Sequence, residues 1–162
     1  MWRSPEGQTG RGVTKASDIF SFGLVVGEPC LDSIIDAIFS CTVHICSWGG
    51  GEFLLINDYQ ELVKSGIRAE QEILIRHFSY FGPVSDGLLK QVNNEDWGNA
   101  LCGASRLAEE AVKEQPELRF ERWGKELGSE AQNMISGMTY PDPTARTTID
   151  QVLTHRWWQE ST

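Results

Sequence analysis

The sequence predicts one mainly α-helical domain, and three observations carry that prediction. Apolar residues recur at helical spacing: Phe20, Gly23 and Leu24 share one face, and Ile73, Leu74, Phe78 and Phe81 share another. The spacings Ser129-x-x-Gln132 and Thr148-x-x-Gln151 are those of a helix-opening box, in which side chain and backbone cap each other. No stretch alternates apolar and polar residues for long enough to build a sheet. A chain of 162 residues can enclose a single core.

The elements follow in order. Residues 4–12 read as turn-like, punctuated by Pro5, Gly7, Gly10 and Gly12. Thr14 is placed to cap a helix running through Ile19, Phe20, Leu24 and Val25. Gly27-Glu28-Pro29 should break it, because proline lacks a donor and clashes with the preceding turn. An apolar stretch, Ile34 to Ile45, and a flexible joint, Gly49-Gly50-Gly51, come next. Asn57 or Asp58 should cap a short helix over 59–65 that Gly66 stops. A stronger helix is expected over 68–81, ended by Gly82-Pro83, then a short one from Ser85 to Val92. Glu95 to Gln115 reads as a longer helix halted by Pro116. Ser129 should open a helix carrying Met134, Ile135 and Met138. Thr148 should open the last helix, with Ile149, Val152, Leu153 and Trp157 facing inward.

Composition narrows the function classes. Forty percent hydrophobic and 23% charged residues are those of a globular chain. A formal net charge of -9 argues against nucleic-acid binding and against docking on an anionic membrane, since both need a basic face. The apolar run Ile34–Ile45 contains Asp36 and is too short to span a bilayer. The first residues open no apolar run of the kind a signal peptide needs, so a cytoplasmic or nuclear location is expected. Cys30, Cys41, Cys46 and Cys102 form no C-x-x-C pair, which points to reduced, partly buried thiols rather than a zinc site. The stretch Gly7 to Thr14 nearly fits a phosphate-binding loop, but Val13 stands where its lysine is required and no strand precedes it. His77 lies in an amphipathic helix and reads as structural, and His155 reads as a helix-end residue that complements the dipole.

Two blocks of short motifs remain. Ser4-Pro5-Glu6 is followed by Ser17-Asp18-Ile19-Phe20-Ser21-Phe22-Gly23. Near the other end stand Asp142-Pro143-Thr144-Ala145-Arg146 and His155-Arg156-Trp157-Trp158. In this order they resemble the second half of a eukaryotic Ser/Thr protein kinase domain: the helical large lobe, from its Ala-Pro-Glu segment to its last helix, without the small lobe. The resemblance is specific over residues 4–25 and 129–158. Ser4 replaces the family's alanine, Phe20 stands where the family often has tryptophan, and Arg156 where many members have proline.

The resemblance implies roles for single residues. It pairs Glu6 with Arg146 in a buried ion pair that joins the two ends of the chain. It places Asp18 at the start of the central buried helix, where the family uses the aspartate to hold the catalytic loop. Phe20 and Gly23 complete that helix, and Trp157 and Trp158 anchor the last one by packing. Residues 27–42 interrupt a helix that is continuous in the family and are expected to be foreign to the fold, as a retained intron read in frame would be; transcript sequencing that finds their codons in every mature message would end that idea.

The intact family transfers the γ-phosphate of ATP, with magnesium, to protein hydroxyls. The 162 residues contain no Gly-rich phosphate loop, strand lysine, His-Arg-Asp or Asp-Phe-Gly. The chain is therefore expected to be a partial kinase domain with no catalytic, cofactor-binding or metal-binding residues, inactive alone. The alternatives are a non-catalytic module that docks a protein partner through exposed lobe surface, or a gene-model fragment without function.

Overall fold

The computed structural model describes residues 3–24 and 68–160. The expectations for 25–67, including Val25 in the second helix, the proposed insert at 27–42, the glycine joint and the helix over 59–65, lie outside the described residues. Those described are mainly helical, with no strand among them. None of their helices is long and apolar enough to cross a membrane.

The first element is a helix where the sequence reading has turns: α1, Pro5–Thr9. Ser4 caps it by accepting from the Gly7 N–H at 3.2 Å, and Pro5 supplies a pre-set φ in the first turn. Gly10 ends it in the left-handed conformation, φ 67°. Gly12 is also left-handed, and a Cβ there would stand 2.6 Å from the Gln91 carbonyl oxygen. The Gln91 side-chain amide donates to the Gly12 carbonyl, so this turn is docked onto another helix.

α2, Lys15–Leu24, opens at Thr14, whose hydroxyl accepts from the Ala16 N–H at 3.3 Å while its own N–H donates to Ser17 Oγ at 3.1 Å. α3, Ala69–Phe81, buries Ile73, Leu74, His77, Phe78 and Phe81. α4, Asp86–Val92, is capped by Ser85, and α5, Glu95–Glu114, by Asn94. A 3-10 turn, Pro116–Leu118, leads to α6, Phe120–Trp123, and a second 3-10 turn, Gly124–Leu127. α7 is Ser129–Met138, α8 is Ile149–Leu153 and α9 is Trp157–Glu160.

Two cap expectations have different outcomes. Thr148 and Gln151 form the reciprocal box that opens α8. Ser129 is not a cap: Gly128 takes that position, and Ser129 is the first helical residue. Gln132 reaches instead to the Glu121 carbonyl at 3.1 Å. The final helix is also not one element. α8 stops after five residues, so only Val152 reaches the core, while Ile149 and Leu153 are 47% and 64% exposed. With one and a half turns, the apolar stripe has no second turn to bring those two inward.

The core lies around α2. Phe20 and Leu24 pack with Phe81, Phe120, Ala131 and Ile135. Ile19, on the flank of α2, packs with Met134, Met138 and Val152. A third cluster joins α3, α4 and α5 through Leu74, Phe78, Leu88, Val92, Leu101, Ala104 and Ala108. Arg119 ties α3 to α5: it donates to the Phe78 carbonyl, to Ser79 O at 3.3 Å, and to the Glu109 carboxylate. Those carbonyls belong to the last turn of α3, which lacks intrahelical donors for them.

Candidate functional site

The side chains of Glu6 and Arg146, 140 residues apart, meet in the interior. Arg146 Nη1 donates to Glu6 Oε1 at 2.8 Å, and Nη2 donates to Oε2 at 3.4 Å. Both side chains are fully shielded from solvent. α1 presents Glu6 from its capped first turn, and the turn after α7 presents Arg146.

Neither charge is left short of partners. Ser17 Oγ donates to Glu6 Oε1 at 2.8 Å, so α2 is joined to the pair. Arg146 uses all five of its N–H groups: Nε donates to Tyr140 O at 2.9 Å, Nη1 to Ala16 O at 2.6 Å, and Nη2 to Pro141 O at 3.3 Å. Its guanidinium carbon also sits 4.9 Å from the centre of the Phe20 ring. α1, the start of α2 and the turn from Tyr140 to Arg146 converge on one buried cation.

The other candidates fall around this pair. Gly23 lies where α2 meets α7: a Cβ there would stand 3.0 Å from Thr139 Cγ2 and 3.2 Å from Met138 Cβ. Phe20 is fully buried, edge-on to His77 at 5.2 Å and to Phe81 at 5.9 Å. Trp157 and Trp158 stand edge to face at 4.7 Å and pack on the cluster of Ile19, Met134, Met138 and Val152. Trp158 Nε1 donates to Val152 O at 2.7 Å. Asp18 is apart from all of these, exposed on the first turn of α2, with no hydrogen-bond donor among the described residues.

Sequence reasoning missed some of the neighbourhood. His77 is fully buried, with neither ring nitrogen hydrogen-bonded among the described residues. Burial, followed by repulsion from Arg146, pushes its pKa down to about 3. The ring is thus a neutral core aromatic, in keeping with a structural reading. His155 follows the end of α8, and its Nδ1 accepts from the Trp157 N–H at 3.2 Å at the start of α9. Nε2 lies 3.1 Å from Asn133 Oδ1. Cys102 is exposed, not partly buried as expected. Asp142 has a local task, accepting from the Thr144 N–H at 2.9 Å and hydroxyl at 2.7 Å. Partial burial works to raise its pKa, but these bonds and one from Ser85 outweigh that and lower it.

The chemistry open to this arrangement is structural. Among the described residues no group of three His, Cys, Asp or Glu side chains stands close enough to hold a metal ion. The glycine-bearing stretch from Gly7 is the end of α1 and its docked turn, not an open phosphate cradle. No protein-family model matches the chain, and no curated protein matches it.

Proposed function

We propose that this chain is the scaffold portion of a protein-kinase-like large lobe, without phosphotransferase activity of its own. The observation that carries the reading is the shielded Glu6–Arg146 pair. The Ser-Pro-Glu segment and the Asp-Pro-x-x-Arg turn are short and common, and each is uninformative alone. Joined in the interior around Phe20 of α2, they act as one staple that holds the lobe closed.

Phosphoryl transfer depends on preorganised charge: a lysine on the phosphates, an aspartate and an asparagine on magnesium, and an aspartate at the attacking hydroxyl. None has a matching position in the 162 residues. Asp18, which the resemblance assigns to holding a catalytic loop, faces solvent. Thermal unfolding with and without Mg-ATP tests this. We expect no rise in Tm at millimolar nucleotide, because a ligand that binds only the folded state must raise it. A saturable rise would contradict the reading of inactivity. The kinase-lobe reading itself is tested by the transcript upstream of Met1: an in-frame His-Arg-Asp and Asp-Phe-Gly there would supply the groups this stretch lacks.

A further inference from the structure

We propose that the cavity between α1, α3 and α5 binds an acidic peptide segment of a partner protein, anchored by one apolar side chain. The cavity measures about 690 Å³, within the range that encloses a small ligand or a few residues of peptide. Its lining is mixed in a way that matches such a segment. Arg68 is the N-cap residue of α3 and Arg106 lies on α5, and neither meets a carboxylate among the described residues. Arg76, Arg119 and Arg146 each do. Glu70 also lines the cavity, so its charged groups among the described residues sum to one positive charge in a chain whose formal net charge is -9.

Charge complementarity selects the occupant. Guanidinium groups take carboxylates through paired, planar hydrogen bonds, and two of them on separate walls favour two acidic residues. In the same lining, half-buried Trp97 and the exposed Leu107 offer apolar surface for a leucine or aromatic side chain. Gln8 and Gln71 bring amides that can meet a peptide backbone. A basic segment finds one carboxylate and two repelling cations, and is rejected. The inference does not rest on the kinase-lobe reading.

A phage-displayed library of random peptides, panned on the whole chain, tests it. We expect selected sequences with two or more Asp or Glu residues flanking a leucine or aromatic. A selected peptide, synthesised and followed by fluorescence anisotropy, should weaken about tenfold or more in Arg68→Glu/Arg106→Glu. It should also weaken as salt rises, since the contacts are exposed charges. Both arginines are exposed, so the variant should keep its helical circular dichroism; if it does not, Arg68→Gln/Arg106→Gln replaces it and should also weaken binding. No enrichment over the double variant, selection of basic or uncharged peptides, or equal affinity for both proteins would overturn the proposal.

Discussion

Among the described residues, Arg146 is the one whose loss would leave the most polar groups unmet. Arg146→Met strands the Glu6 carboxylate in the interior with only the Ser17 hydroxyl, and frees three backbone carbonyls. We expect a cost of about 3–5 kcal/mol, read by urea denaturation, because a buried charge without its partner is expensive. His77 has a different consequence, set by protons. Its folded pKa, about 3, lies below the ordinary 6.5, so the unfolded chain takes up the proton first. Stability is fully present above pH 6.5 and falls as pH drops from there toward 3. Between pH 7.5 and pH 5 this single group should remove about 2 kcal/mol. His77→Leu should lose that part of the pH dependence; a profile unchanged from the parent's would contradict the burial. Neither ring nitrogen's isolation was legible in the sequence, where His77 is one polar residue on an amphipathic helix.

Elements were most legible where capping and periodicity agreed. α3, α4 and α5 lie within a residue or so of expectation because Gly82-Pro83, Ser85 and Pro116 mark their ends. α1 was missed although Ser4, Pro5 and Gly10 spell cap, first turn and stop; five residues are too few for a periodic signal. Ile149 and Leu153 were misplaced because periodicity gives a face but not how many turns reach the core. Two substitutions test the α1–α2 turn. Gly12→Ala meets both a left-handed φ and the Gln91 carbonyl, whereas Gly10→Ala meets the same φ with open space around it. We expect Gly10→Ala to cost about 1–2 kcal/mol from backbone strain and Gly12→Ala clearly more. Equal Tm changes would show that the turn is not docked on α4. At α8, Thr148→Ala should cost about 1 kcal/mol by opening the capping box.

At the scale of the whole molecule, the helical class and the apolar faces could be read from residue order, but the closure could not. Periodicity has no range of 140 residues, and only the resemblance joined Glu6 to Arg146. The third cluster, built from α3, α4 and α5, was equally silent: sequence shows which residues are apolar, not which helix each one faces. Because α2 contributes to two clusters and touches the ion pair through Ser17, its amides at Ile19 to Leu24 should be among the slowest to exchange with deuterium. The closure itself is tested most directly by a double-mutant cycle of Glu6→Gln and Arg146→Met, each variant unfolded in urea. If the two side chains meet in the interior, the double variant should be less destabilised than the sum of the singles by about 1.5 kcal/mol or more. Additivity to within about 0.5 kcal/mol would mean that the two ends of the chain are not joined there.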